Sequence, residues 1–184
     1  SIRSYRHDKE NPSSLSYNPV NAIYEDVYGT LWVGTVEGGL NRKERNSEDF
    51  THYTREHGGL SHNSVSALTA DTDNHLWIGT WGGGINFISS EPSLFTTIDY
   101  SPIPGKSSSL NNKIVSSICT DRQGRLWIGT DGGGINVFEN NKRVAIYKKE
   151  TGELLSNSVQ TAFQDSKGNL WFGTFQGSVS LYNP

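Results

Sequence analysis

Trp81 is the residue of this chain best suited to chemistry with a ligand. An indole beside hydrogen-bonding side chains makes a platform for a sugar, whose apolar face stacks while its hydroxyls find donors and acceptors. Glu37, Asp131, His62, Asn63, Lys113 and Asn157 could supply those partners, with Phe175 as a second aromatic surface. The plainer reading of Trp81 is that it caps a hydrophobic gap or touches a neighbouring structural unit.

Other chemistries find weaker footing, and no catalytic residue, metal ligand or cofactor is assigned. A lyase or glycosidase needs an acid and a base that converge, whereas His7, His52, His57, His62 and His75 fall in different segments and do not recur as a set. Asp71-Thr72-Asp73-Asn74 opens like a calcium loop but lacks the glycine and glutamate such a loop requires further on. The glycine pairs cradle no phosphate, because no helix is expected after them. Cys119 has no basic neighbour and reads as a small buried residue.

What positions these residues is a repeat. The phrase Leu-Trp-x-Gly-Thr returns at Leu31, Leu76, Leu126 and Leu170, with its tryptophans Trp32, Trp77, Trp127 and Trp171 spaced 45, 50 and 44 residues apart. An aspartate stands six residues before each: Asp26, Asp71, Asp121 and Asp165. Six residues earlier again comes a valine, Val20, Val65, Val115 or Val159. A register this constant marks the rigid part of a unit of β-repeat length.

Each unit reads as four short strands. The first runs from the valine, as in Val20 to Glu25, and the second is the Leu-Trp phrase. The third begins at Leu40, Ile85, Ile135 or Val179 after a glycine-rich turn. The fourth carries Phe50 and Tyr53, Phe95 and Ile98, or Val144 and Tyr147, and Ile2 and Tyr5 repeat that spacing at the start of the chain. Units that cannot cover their own faces, arranged around an axis, make an all-β fold: a β-propeller of four four-stranded antiparallel blades. The blades are expected at about residues 16–54, 61–99, 111–148 and 155–184, with an extra outer strand at 1–6. The ring would close on itself, pair with a second copy into eight blades, or form an arc of a larger propeller. Strain in a four-bladed ring favours the last two.

The stretch from Val115 to Asn136, Val-x-x-Ile-x-x-Asp-x-x-Gly-x-Leu-Trp-Ile-Gly-Thr-x-x-Gly-Gly-Ile-Asn in outline, resembles the two-component regulator propeller repeat, and the resemblance covers all four units. It departs at Gln176-Gly177-Ser178, where glycines are expected, and at Lys113, where asparagine stands in the other copies as Asn18, Asn63 and Asn157. The resemblance implies a periplasmic sensor segment of a hybrid histidine kinase in Bacteroidetes, whose relatives build paired seven-bladed propellers and sense oligosaccharides. It implies a parent with a β-sandwich domain, a membrane helix, a kinase core, a receiver and often a helix-turn-helix domain.

The bulk composition agrees with a β-rich globular chain: 184 residues, 20 glycines and 20 aromatics. A net charge of −3 with scattered cations argues against nucleic acid as a partner. No apolar run is long enough to span a bilayer, so this segment is expected to make no membrane contact. The absence of methionine reads as a piece of a longer protein. The expected partners are an oligosaccharide and either the remaining blades of a parent sensor or a second copy of this chain. A protein–protein interaction scaffold is the competing function, since fold alone does not set function.

Overall fold

The computed structural model describes residues 2–57, 59–89, 96–103 and 106–183. Among them are fifteen β-strands and no helix, arranged as four separate antiparallel sheets. The first sheet holds β1 (Val20–Glu25), β2 (Leu31–Thr35), β3 (Leu40–Lys43) and β4 (Phe50–Tyr53). The second holds β5 (Val65–Ala70), β6 (Leu76–Thr80), β7 (Ile85–Ile88) and β8 (Thr96–Ile98), and the third β9 (Val115–Thr120), β10 (Leu126–Thr130), β11 (Gly134–Glu139) and β12 (Lys142–Tyr147). The fourth has three strands: β13 (Val159–Gln164), β14 (Leu170–Thr174) and β15 (Val179–Tyr182). Phe95, read as part of a fourth strand, lies outside the described residues.

The constant Asp-to-Trp spacing has a direct cause. Each aspartate closes the turn between its blade's first two strands: Oδ1 of Asp26 accepts from the backbone N–H of Tyr28 and Thr30 at 3.0 and 2.9 Å. Its Oδ2 accepts from the Trp32 indole at 3.0 Å. The same indole bond recurs from Trp77 to Asp71 at 2.9 Å, from Trp127 to Asp121 at 2.8 Å and from Trp171 to Asp165 at 3.0 Å. A residue inserted in the turn would break three hydrogen bonds at once.

Neighbouring blades mate through a glycine and a valine. A Cβ on Gly34 would come within 2.5 Å of Val65 Cγ1, one on Gly79 within 2.7 Å of Val115 Cγ1, and one on Gly129 within 2.7 Å of Val159 Cγ1. Hydrogen bonds tie the same seams: Asn21 Nδ2 donates to the Val65 carbonyl at 3.2 Å, Ser66 Oγ to that of Val115 at 2.6 Å, and Ser116 Oγ to that of Val159. Apolar clusters fill each seam, the last around Trp127, Ile135, Val137, Val159 and Phe172. First strand therefore faces first strand, β1 to β5, β5 to β9 and β9 to β13, as blades around an axis do.

The seam is not repeated between the fourth blade and the first. A Cβ on Gly173 would meet only Thr161 of its own blade. Val20, whose counterparts Val65, Val115 and Val159 are fully buried, is 41% exposed. Within one chain the arc is open. The outer strand expected at residues 1–6 does not form either: residues 2–8 pair with no strand, and Ile2 is fully exposed. Instead the segment lies against the first blade through side chains, Arg3 pairing with Glu48 at 2.7 Å and Tyr5 packing edge-on against Phe50 of β4.

Candidate functional site

The residue after each Gly-Thr pair is fixed at an equivalent place. The N–H groups of Val36, Trp81, Asp131 and Phe175 donate to the carbonyls of Pro19, Ser64, Ile114 and Ser158, each the residue before its blade's first strand, at 2.8–3.0 Å. The turn between second and third strands and the loop into the first strand thus share one face. On it Trp81 is 50% exposed, Phe175 and Glu37 are exposed, and Asp131 is part-buried.

The expected site residues gather in three places rather than one. Glu37, His62 and Asn63 line a cavity of about 260 Å³ at the seam of the first two blades, together with Val36, Arg55, Glu56 and Ser64. Asp131 and Asn157 meet at the seam of the last two, where Asp131 bridges to Ser158 and the Gly132 N–H donates to the Asn157 carbonyl at 3.0 Å; Phe175 is tied there through its backbone, its N–H donating to the Ser158 carbonyl at 2.8 Å. Trp81 and Lys113 lie between these, at the middle seam, where Trp81 forms a bridge with Ile114. The His62 ring lies 3.9 Å from where a Cβ on Gly82 would stand, one residue along the chain from Trp81.

Asn63 and Asn157 are engaged by the scaffold. Asn63 Oδ1 accepts from the Arg55 N–H at 2.6 Å, Nδ2 donates to Glu56 at 2.9 Å, and its carbonyl accepts from Gly39 at 2.8 Å. Asn157 repeats this with the Lys149 N–H at 2.8 Å and with Glu150. The Asn63 amide holds the Glu56 carboxyl below its ordinary pKa, and at Glu150 the largest contribution is the residue's own N–H, followed by Asn157. Both carboxylates are therefore charged and oriented at neutral pH.

Sequence reasoning missed Arg55, Glu56 and Tyr17. Tyr17 donates its hydroxyl to Glu37, whose bond and charge raise the phenol's pKa. Arg55-Glu56 and Lys149-Glu150 stand two and three residues after Tyr53 and Tyr147, so the recurrence of a basic–acidic pair after the fourth strand was the available signal.

The remaining candidates are absorbed locally. His7 and His52 bond the carbonyls of Leu15 and Ser14, and His62 Nδ1 accepts from Ser64. His75 pairs with Asp71 at 3.0 Å, and the oxygens of Asp71 are further taken by turn amides and the Trp77 indole. Among the described residues no group of three or more His, Cys, Asp and Glu side chains could hold a metal, and no helix is long and apolar enough to cross a membrane. Burial, with a smaller contribution from the Asp121 charge, pushes the Cys119 thiol up to about 12, so it stays protonated at neutral pH.

The two component regulator propeller family matches at residues 14–37, 59–82, 109–132 and 153–176, one match per blade. This chain belongs to that family. Among solved structures, this propeller is similar to the extracellular domain of a putative hybrid two component system from B. thetaiotaomicron at 48% identity, covering 89% of this chain and 21% of that one, with a TM-score of 0.42. A second such domain from the same organism shares 24% identity over 95% of this chain and 23% of its own, with a TM-score of 0.74. Virginiamycin B lyase from Staphylococcus aureus has the fold as well, at 16% identity and a TM-score of 0.64, over 90% of this chain and 56% of that one. No curated protein matches. The propeller spans about a fifth to a quarter of the length of the first two relatives.

Proposed function

We propose that this propeller is part of the extracytoplasmic, periplasmic sensor of a hybrid two-component histidine kinase, and that it recognises an oligosaccharide. The observation that carries the reading is the pairing of family membership with the seam cavity around Glu37, Arg55, Glu56 and His62, flanked by the half-exposed Trp81. The cavity suits one sugar ring, with charged groups for its hydroxyls and Trp81 as a stacking surface for the next ring. In this reading Asn63 and Asn157 orient Glu56 and Glu150, while Asp131, Lys113 and Phe175 extend the binding face. The kinase that would read the signal belongs to other segments of a parent chain, and this segment catalyses nothing.

Calorimetric titration with a panel of neutral and acidic oligosaccharides tests the reading. Binding that falls about tenfold or more in both Trp81→Ala and Glu37→Gln is the expected result. Binding unchanged in both variants, or absent across the panel, overturns it. A second reading, an interaction scaffold, is favoured by the apolar faces at the two ends of the arc, and a pull-down that depends on those faces and not on Trp81 would select it.

A further inference from the structure

The loops that lead from one blade to the next run in register. Leu40 pairs with Tyr53, Ile85 with Ile98 and Ile135 with Tyr147, so these three fourth strands end at matching residues. Just beyond, the Leu60 N–H donates to the Thr54 carbonyl, that of Leu110 to Asp99 and that of Leu154 to Lys148, at 2.9–3.4 Å. Counted on this register, Trp81 and Tyr100 hold at the middle seam the places that Val36 and Arg55 hold at the first. Lys113 and Ile114 hold those of Asn63 and Ser64. Asn112 holds that of His62, its Oδ1 accepting from the Ile114 N–H at 2.9 Å as His62 Nδ1 does from Ser64 at 3.0 Å. All five of the first-seam residues line the cavity of about 260 Å³.

The chemistry at these places is reversed. The carboxylates of the first cavity, Glu37 and Glu56, give way at the middle seam to Gly82 and Ser101. Two half-exposed aromatics stand there instead, and the Trp81 indole, the Tyr100 hydroxyl and the Lys113 ammonium have no hydrogen-bond or ion-pair partner among the described residues. The lysine and the length of its loop belong together. In the first and third loops six residues separate Thr54 from Leu60 and Lys148 from Leu154, and an asparagine holds the loop by accepting from the Arg55 or Lys149 N–H. A lysine cannot accept that bond. In the middle loop eleven residues separate Asp99 from Leu110, and other groups do the holding. The Ser101 N–H donates to the Leu110 carbonyl at 3.1 Å, and Arg143 of β12 donates its N–H to the Ser107 carbonyl at 2.6 Å and its guanidinium to that of Ser109. Lys113 is thereby left with no scaffold bond to make.

We propose, resting on the carbohydrate reading of this face, that the middle seam is a subsite for an anionic sugar residue, a uronate or a sulfated pyranose. Trp81 and Tyr100 supply apolar walls for the ring, and the Lys113 ammonium takes the carboxylate or sulfate. Tyr100, which sequence and family register alone do not single out, is then a specificity-determining residue. The first cavity, lined by Glu37 and Glu56, disfavours an anion and accepts hydroxyls, so the charged ring sits at the middle seam and a neutral one beside it.

Calorimetric titration of the 184-residue chain with matched trisaccharides reads this charge preference. Each set, gluco-, galacto- or manno-configured, differs only at C6 of its terminal ring, which carries a hydroxymethyl, a carboxylate or an O-sulfate. The expected result is an anionic member bound about fivefold or more tighter than its neutral counterpart, with the gap closing as salt is raised. Whether the carboxylate or the sulfate gains more tells which anion the subsite takes. Lys113→Asn, which restores the residue of the other loops, should bring the ratio to about one, and Lys113→Arg should keep it. Tyr100→Ala, at an exposed ring, should weaken neutral and anionic members alike by about fivefold. A ratio near or below one in the unmodified chain, or a preference that survives Lys113→Asn, overturns the subsite and leaves the carbohydrate reading standing. Unaltered binding in Tyr100→Ala overturns the role given to that ring. Binding by no member of any set overturns the carbohydrate reading itself, and the subsite with it.

Discussion

Trp127 and Trp171 hold the same place in the same five-residue phrase, and each donates its indole N–H to an aspartate six residues back. Trp127 is nevertheless fully buried, stacked on Tyr147 with ring centroids 5.8 Å apart and flanked by Phe172 and Tyr182. Trp171 is 38% exposed. Local sequence makes the turn, the strand and the indole bond identically in both blades, whereas the burial comes from the next blade. Blade stability in this family is thus a local term plus a seam term, as in other repeat proteins.

The largest expected effect separates those terms. Trp127→Ala should destabilise the single chain by about 3–5 kcal/mol, the range for a large core aromatic. Trp171→Ala should cost on the order of 1 kcal/mol, chiefly its hydrogen bond. Urea unfolding of both variants at low protein concentration checks the difference, and equal losses would mean that Trp171 is covered within one chain. The glycine of the phrase gives a smaller contrast of the same kind. Gly129→Ala pushes into Val159 and should cost about 1–3 kcal/mol by overpacking. Gly173→Ala meets only the Thr161 methyl and should cost less, by the same assay.

Acid comes next. At Asp71 burial raises the carboxyl pKa, but bonds from Trp77 and His75 outweigh it and leave the group below its ordinary value. At Asp165 the Trp171 indole and then the Asn169 amide hold the carboxyl well below its ordinary range. A carboxylate depressed in the folded state contributes stability above its unfolded pKa and loses it as pH falls through the folded value. Unfolding midpoints should therefore drop below about pH 4 and keep dropping. Asp165→Asn should flatten part of that acid limb, and an unchanged slope would remove Asp165 from the account.

The fold was legible in the sequence because its determinants are short-range. The Asp turn, the indole bond and the glycine–valine mating all sit at fixed offsets, so the first strands could be bounded from Val20, Val65, Val115 and Val159. The candidate site was less legible. Whether Asn63 faces a ligand or clamps Glu56 depends on how the loop between the blades folds back on itself, of which the recurring basic–acidic pair after the fourth strand is the only trace in the sequence. Residues 2–5 failed as a strand for a similar reason: the spacing of Ile2 and Tyr5 describes a capacity to pair, and pairing needs an edge that the single chain does not bring to them.

Ser178 offers the smallest contrast of this kind. Gly39, Gly84 and Gly134 stand where the third strands start, with φ of +79°, +74° and +75°, and a Cβ there would overlap the carbonyl of Tyr53, Ile98 or Tyr147 in the fourth strand. Ser178 holds the same place in the fourth blade, its carbonyl accepting at 3.0 Å from the Thr174 N–H as that of Gly39 does from Thr35, but without a positive φ. Gly134→Ala should therefore cost about 1–3 kcal/mol in urea unfolding, because its backbone suits only glycine and Tyr147 leaves no room, whereas Ser178→Ala should stay within about 0.5 kcal/mol. Equal losses would mean that the turn of the fourth blade is held as tightly as those of the others.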